Sequence, residues 1–184
     1  MNIKGKVVTL RAIEKGDLEL MRSMLNDPEI EKMVTGWAFP LSSYEQNEWY
    51  EKNINNNNSL RFIIEIENLG SVGLVTLTDI DWKNRKAFHG LKLANNMNRK
   101  KGIGTDSVMA IMRYAFDELQ LNRLDGSWLE YNIVSQKLYE KCGWKIEGRY
   151  RKYIYKNGKY NDLLIGGILQ EDYKKLIMNN HYWE

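Results

Sequence analysis

The feature that most constrains this chain of 184 residues is a basic stretch that runs into two glycines and then into an apolar-periodic helix. The stretch consists of Arg99, Lys100, Lys101, Gly102, Ile103, Gly104 and Thr105. Glycines let backbone N–H groups approach phosphate oxygens, and the free N–H groups at a helix N-terminus attract negative charge. We therefore expect the Gly102–Thr105 backbone to hold a pyrophosphate, with the three cations contacting it or a neighbouring phosphate.

Two common phosphate-binding loops do not fit this stretch. A P-loop requires Gly-Lys-Ser/Thr after its glycines, and that sequence is absent. The dinucleotide fingerprint requires a third glycine, which Ser107 replaces. The loop therefore indicates a phosphorylated cofactor of another kind.

Composition excludes several classes of protein. A net charge of +3 favours neither nucleic acid nor another polyanion as a partner, and a single cysteine, Cys142, rules out an intrachain disulfide. Two histidines without a cysteine cluster predict no metal site. The polar N-terminus and the lack of a long apolar run predict a cytoplasmic protein without membrane contact, folded as one domain over residues 1–184.

Apolar periodicity and turn residues predict an α/β arrangement with hairpins rather than a regular βαβ repeat. The expected strands are Val7–Arg11, Arg61–Glu67, Ser71–Thr78, Ala87–Leu93, Arg123–Tyr131, Trp144–Tyr155 and Asp162–Leu169. Helices are expected behind Asp17 as N-cap, over Glu29–Met33, after a Ser43-x-x-Gln46 capping box, from the glycine loop to Leu119, over Val134–Lys141 and over Glu171–Met178.

A second motif lies downstream of the glycine loop. It reads Asn132-x-x-Ser135-x-x-Leu138-Tyr139-x-Lys141-x-Gly143-Trp144, followed by Glu147-Gly148. With Arg99-x-x-Gly102-x-Gly104 between a strand and a long helix, it resembles the acetyl-CoA-binding motifs of the GNAT N-acetyltransferase superfamily, with Trp144 for the usual Phe. Leu10-Arg11, Asp17-Leu18 and the segment Asn157-Gly158-Lys159-Tyr160-x-Asp162 resemble its RimJ/RimL-type branch of ribosomal-protein N-terminal acetyltransferases, close to the spermidine acetyltransferases.

The resemblance covers nearly the whole chain and implies a GNAT-like α/β (α+β) fold. Its central, mixed, mostly antiparallel and twisted sheet would have about six to seven strands, flanked by about four helices. It also implies an acyltransferase that passes acetyl directly from acetyl-CoA to a primary amine. Such relatives are monomers, dimers or larger assemblies, and a homodimer is one arrangement that stays open.

The resemblance assigns roles to several residues. The backbone of Leu91, Lys92 and Leu93 would hold the pantetheine arm and thioester, with Ser135 and Lys141 as further cofactor contacts. Tyr139 would be the general acid that protonates the departing thiolate, the alternative being a core tyrosine. Asn132 would hydrogen-bond the pantetheine arm, cap its helix, or do both.

The general base is where the chain departs from the family pattern. Many relatives carry Glu on the fourth expected strand, where this chain has Phe88. His89 is the nearest titratable residue, and its reference pKa near 6.5 suits a base, although a hydrogen-bonded structural histidine is the favoured alternative. Asp79, Asp81 and a water chain are further candidates.

The acceptor amine is not fixed by the sequence. An amine with a pKa near 10.4 has roughly one neutral molecule in 10³ at pH 7, so a site without an obvious carboxylate base favours an α-amine or a sugar amine. The resemblance implies that Trp37, Phe39 and Trp49 lie on the substrate side. We thus expect an acetyltransferase for a protein N-terminal α-amine, an amino sugar or another small amine. The alternatives are a polyamine acetyltransferase and, in another class, a non-catalytic acyl-CoA sensor.

Overall fold

One sheet of eight strands organises the protein, for which a computed structural model describes residues 1–36, 39–53, 55–94 and 102–184. The strands are β1 Ile3–Lys4, β2 Thr9–Arg11, β3 Leu60–Ile66, β4 Gly70–Asp81, β5 Lys86–Leu93, β6 Arg123–Leu129, β7 Lys145–Lys156 and β8 Lys159–Leu169. The helices are α1 Leu18–Asn26, α2 Pro28–Glu31, α3 Ser43–Asn53, α4 Ile103–Arg113, α5 Ile133–Lys141 and α6 Gln170–Asn180.

The strand order in the sheet is β1-β2-β3-β4-β5-β6-β8-β7. Every neighbouring pair is antiparallel except β5 and β6, which are parallel. The mixed, mostly antiparallel sheet of the GNAT-like prediction is thereby confirmed, with eight strands instead of six to seven and six helices instead of about four. The additional strand, β1, is two residues long and too short to show a periodicity.

The helices bury their apolar stripes on both sides of the sheet. The larger core lies beneath α4 and α5 and includes Met109, Ile111 and Tyr139. The smaller core lies beneath α1 and α3 and includes Met21, Met24 and Tyr50 together with Ile63 of β3. The apolar spacing that predicted α1 is the spacing of the residues that it buries.

Two of the expected helix starts are wrong in detail. Asp17 does not cap α1; its carboxylate accepts from Arg11, from Ser71 and from the Glu14 N–H. The capping box before α3 is formed one residue earlier than expected. The Glu45 Oε2 accepts from the Ser42 N–H at 2.8 Å, and the Ser42 Oγ accepts from the Glu45 N–H at 3.2 Å. Gln46 is thereby free to turn inward, and it is 2% exposed.

The ends of α4 and α5 follow the sequence signals. Gly102 precedes α4 with a φ of 76°, a left-handed conformation that suits glycine, and Gly143 follows α5 with a φ of 83°. The expected long helix continues past α4 as a π-helical turn over Tyr114–Glu118. Asn157 and Gly158, with φ of 54° and 75°, form the turn between β7 and β8.

Candidate active site

The parallel strands β5 and β6 separate soon after they meet. They pair only at Lys86–Arg123, Ala87–Leu124 and Phe88–Asp125, although β5 continues to Leu93 and β6 to Leu129. Each strand stays paired on its other side, β5 with β4 and β6 with β8. The sheet therefore opens in its middle, and the gap lies between two fixed strands.

Backbone groups of β5 face this gap. The Ala94 N–H donates to the Val72 carbonyl oxygen at 2.8 Å, just beyond the Leu93–Gly73 pair. Because hydrogen-bonded and non-bonded pairs alternate in an antiparallel ladder, we infer that Leu91 and Leu93 turn their N–H and C=O groups toward β6. This places open donors where the sequence predicted contact with a pantetheine arm.

The N-terminus of α4 lies beside the end of β5. The first intrahelical bond runs from the Asp106 N–H to the Gly102 carbonyl oxygen, and Gly102, at the N-cap position, has no side chain to cap the helix. The N–H groups of Ile103, Gly104 and Thr105 thus have no partner within the helix, as a phosphate site requires. A Cβ on Gly104 would lie 3.3 Å from Leu138 Cδ2, so this glycine also lets α5 pack close to α4.

Asn132 joins two parts of the site. Its Oδ1 accepts from the Ser135 N–H at 3.0 Å and caps α5. Its Nδ2 donates to the Met33 carbonyl oxygen at 2.8 Å, and Tyr131 Oη donates to the Lys32 carbonyl oxygen at 2.6 Å. The segment after α2 is therefore held against the start of α5. The expected helix cap is confirmed, whereas the contact with a pantetheine arm stays a prediction.

A cavity of about 570 Å³ passes through the gap in the sheet. On the side of α1 and α3, its lining includes Met21, Met24, Gln46, Trp49, Arg61, Leu74, Thr76, Phe88 and Lys92. Toward α4 and α5, its lining includes His89, Leu91, Trp128, Ser135 and Tyr139. One cavity thus has lining residues from both faces of the sheet.

Tyr139 lies within an aromatic cluster where the two parts of the cavity meet. Its ring centroid is 5.1 Å from those of Trp128 and Trp144 and 5.5 Å from that of His89. Burial raises the pKa of Tyr139 well above its usual range. A phenol in this position is protonated at neutral pH, although burial makes it a weaker acid, so its role as general acid stays a prediction.

His89 is buried on the wall of the same cavity. Its Nδ1 lies 3.2 Å from the Thr76 carbonyl oxygen, which identifies Nδ1 as the protonated nitrogen and leaves Nε2 as a lone-pair acceptor. Nε2 has no hydrogen-bond partner among the described residues. Burial lowers the pKa of His89 to about 4, and this effect outweighs the hydrogen bond to the Thr76 backbone, which raises the pKa. The imidazole is therefore neutral at neutral pH and only weakly basic, so its role as general base stays a prediction.

Three polar side chains on the α1–α3 side were not expected from the sequence. The guanidinium carbon Cζ of Arg61, on β3, lies 5.2 Å from the centroid of the Trp49 ring. Burial lowers the pKa of Arg61. Burial, and then the charge of Lys156, lowers the pKa of Lys92. Gln46 reaches the cavity from α3, and its Oε1 has no hydrogen-bond partner among the described residues. In the sequence, Arg61 is the lone cation of a largely apolar strand, and this pattern could have marked it as a site residue.

Other expected site residues lie elsewhere. Phe39 is 66% exposed and does not line the cavity, and Lys141 is exposed in the last turn of α5. Trp37, Arg99, Lys100 and Lys101 fall outside the described residues. Asp79 and Asp81 line a shallower depression at the far end of β4. Cys142 is buried, and burial raises the pKa of its thiol to about 12.

No helix in the described ranges combines the length and apolar character needed to cross a membrane. In those same ranges, no group of three or more His, Cys, Asp and Glu side chains is arranged to hold a metal ion.

Comparisons with known proteins agree with this geometry. Residues 8–145 match the acetyltransferase (GNAT) domain family. The chain is 30% identical over 167 residues to the spermidine N(1)-acetyltransferase of Vibrio cholerae, covering 90% of this chain and 95% of that protein. It is 29% identical over 170 residues to the prophage-derived uncharacterized N-acetyltransferase YokL of Bacillus subtilis, covering 92% and 94%. The crystal structure of the Vibrio cholerae enzyme with CoA and spermine matches with a TM-score of 0.85 and 29% identity, covering 91% of this chain and 98% of that one.

Proposed function

The chain belongs to the GNAT family of acetyl-CoA-dependent N-acetyltransferases, and we propose that it acetylates a small primary amine bound between β5 and the helices α1 and α3. The observation that carries this proposal is the cavity that crosses the sheet where β5 and β6 separate. A donor on one face and an acceptor on the other would meet in that gap. Direct transfer between them requires no nucleophilic residue, in agreement with the buried thiol of Cys142.

The residues present fit acetyl-CoA, which supplies an acetyl group activated as a thioester. The N–H groups at the start of α4, which have no partner within the helix, suit its pyrophosphate. The open backbone groups of Leu91 and Leu93 suit its pantetheine arm, whereas those of Lys92 face β4. Gly104 keeps α4 and α5 close enough to form one wall of that side. The chain's own contribution is therefore to place the thioester in the gap and to offer it backbone donors.

Tyr139 is the proposed general acid. Its hydroxyl belongs to a side chain that lines the gap, and burial keeps it protonated. Donation of that proton to the departing sulfur would contribute about 10²–10⁴ in rate. The surrounding rings of Trp128 and Trp144 fix the orientation of the phenol and exclude water from it.

The acceptor has to lose a proton without a carboxylate base in the cavity. The described lining contains no Asp or Glu, and the imidazole of His89 is weakly basic. The enzyme would therefore select the neutral fraction of its acceptor, which is roughly one in ten for an α-amine near pH 7 and far smaller for a lysine-like amine. An α-amine or a sugar amine fits this arrangement.

A polyamine is the second candidate. It is supported by the names of relatives that match most of the chain, the spermidine N(1)-acetyltransferases of Vibrio cholerae and Escherichia coli. A triply charged acceptor would, however, enter a pocket whose charged lining is cationic. The two candidates therefore differ in the charge that they require of the pocket.

Two measurements test the proposed function. Titration calorimetry with acetyl-CoA should show binding, and an amine panel assayed by release of free CoA thiol should identify at least one acceptor. A protein that binds acetyl-CoA but releases no thiol above background with any amine would be a sensor. Absence of binding near millimolar acetyl-CoA would refute the whole assignment.

A further inference from the structure

We propose that the acceptor pocket is a site for an amine that also carries an anionic group, a carboxylate or a phosphate, with Arg61 and Lys92 as the residues that bind the anion. The inference rests on the proposed acetyltransferase activity and concerns the class of its acceptor. It departs from the polycationic acceptors named for several relatives.

The sheet register places the two cations on one face. Arg61 pairs with Thr76, and Thr76 pairs with Gly90 of β5, so all three belong to one row across the sheet. Lys92 lies two residues beyond Gly90 on the same strand, and side chains two residues apart point to the same face. The partner of Lys92 is Leu74, which packs against the smaller core beneath α1 and α3. Both cations thus belong to the acceptor side.

Neither cation has a carboxylate bonded to it in the described structure. Arg61 donates only to the Ser59 carbonyl oxygen, at a long 3.4 Å, and Asp79 is the carboxylate whose charge acts on it from a distance. The charge next to Lys92 is another cation, Lys156, whose ammonium is already bonded to the Glu31 carboxylate and to the Gly36 carbonyl oxygen. Partly buried cations without a carboxylate hydrogen-bonded to them favour an anionic ligand.

No acidic side chain compensates these charges from the cavity wall. The described lining residues include no Asp or Glu, and the ten residues outside the described ranges contain none either. At the position where α3 reaches the cavity, the chain has the neutral amide of Gln46. A polyamine would therefore meet two cations and no carboxylate in this pocket.

The row from Arg61 to Gly90 also limits the size of the acceptor. The Cα atoms of Arg61 and Gly90 are two strand spacings apart, a distance of roughly 10 Å. An acceptor whose amine lies at the gap beside Gly90 can thus place its anion near Arg61 or Lys92 only if the two groups are a few bonds apart. Amino acids and phosphorylated amino sugars have these dimensions.

The test compares each anionic amine with a partner that lacks the charge. The pairs are α- and ω-amino acids with their amides, and an amino sugar phosphate with the free amino sugar; spermidine serves as the polycation. The kcat/KM should be at least about tenfold higher for the anionic member of one pair, as a charged hydrogen bond provides. The pair that responds distinguishes carboxylate from phosphate, and calorimetry with the anionic acceptor gives an independent readout of binding.

Substitutions test whether Arg61 and Lys92 cause the preference for the anionic amine. Arg61→Gln and Lys92→Gln should each reduce the preference for the anionic member several-fold, whereas Arg151→Gln and Lys83→Gln, on exposed positions, should preserve it. Gln46→Glu should do the reverse and raise activity on spermidine relative to the anionic amine. Affinity for acetyl-CoA should remain that of the wild type throughout, which shows that each variant is folded.

The outcomes separate this inference from the function on which it rests. Thiol release with spermidine at a higher kcat/KM than with every anionic amine would overturn the inference and leave the acetyltransferase intact. Equal kcat/KM values within every pair would also overturn it. Lack of acetyl-CoA binding or of thiol release with all amines would instead refute the proposed function.

Discussion

The side-chain amide of Asn132 donates a 2.8 Å hydrogen bond to the carbonyl oxygen of Met33. The same side chain accepts from the Ser135 N–H and caps α5, so a single residue holds the start of α5 and the segment that supplies Val34–Gly36 to the cavity wall. Because the donor and the acceptor are different atoms, the two interactions can be removed separately.

Asn132→Asp keeps the oxygen that caps α5 and loses the donor to Met33. We expect the KM for the acceptor amine to rise by about 2–10-fold, the worth of one hydrogen bond, with little change in acetyl-CoA affinity. Asn132→Ala also loses the cap and should lower the free energy of unfolding by about 1 kcal/mol in urea denaturation. Weaker acetyl-CoA binding in both variants would instead assign the side chain to the pantetheine arm.

Tyr139→Phe removes one hydroxyl from the aromatic cluster and preserves its shape. We expect kcat to fall by about 10²–10⁴-fold, while the Kd for acetyl-CoA stays close to that of the wild type. Tyr173→Phe is the matched control, because Tyr173 is also buried but its hydroxyl accepts from Trp183, remote from the cavity. Equal turnover by Tyr139→Phe and the wild type would remove Tyr139 from the mechanism.

The sequence alone was sufficient to predict the structure where a short segment determines its own conformation. Gly102 before α4 and Asn132 and Gly143 around α5 are local signals, and each has the expected conformation. The choice between Ser42-x-x-Glu45 and Ser43-x-x-Gln46 as the capping box was not local. Burial of Gln46 against the cavity decides it, and burial depends on the packing of α3 against the sheet.

The acceptor side could not be predicted for a related reason. Arg61 and Lys92 are about thirty residues apart in the sequence and lie on different strands, and only the register of β3, β4 and β5 places them on one face. The cofactor side was predictable because its motifs are contiguous. The acceptor side depends on strand pairing, which a single sequence specifies only weakly.

The buried His89 predicts a loss of stability toward acid. Its pKa is about 4 in the folded protein and near 6.5 when exposed, so below about pH 6.5 the unfolded state binds a proton that the folded state does not. The free energy of unfolding should therefore fall as the pH drops from 6.5 toward 4, by up to about 3 kcal/mol.

Denaturation in urea at several pH values measures this contribution. His89→Asn can keep a donor toward the Thr76 carbonyl oxygen and should flatten the decline between pH 6.5 and 4. His181→Asn removes the other histidine, which is exposed, and should leave the decline unchanged. A decline as steep in His89→Asn as in the wild type would show that other groups cause it.

A second buried polar residue, Asp106 of α4, connects the edge of the sheet to the helix layer through hydrogen bonds. Its carboxylate accepts from the N–H groups of Lys6, Val7 and Val8 at 2.7–2.9 Å and from Tyr182 Oη at 2.9 Å. The turn between β1 and β2 and the segment after α6 thus share one acceptor, at a site away from the cavity.

Asp106→Ala leaves those N–H groups without their acceptor and opens space beside Gly5. We expect the free energy of unfolding to fall by about 3 kcal/mol in urea denaturation, because a bond to a charged group is lost and buried donors are left unsatisfied. Glu118→Ala, at an exposed position on the π-helical turn after α4, should change stability by no more than about 0.5 kcal/mol.

Since Asp106 does not line the cavity, kcat/KM of the folded Asp106→Ala variant should match that of the wild type. A loss of stability below about 1 kcal/mol would mean that water replaces the carboxylate as acceptor, and that the edge of the sheet is held by β1–β2 pairing alone.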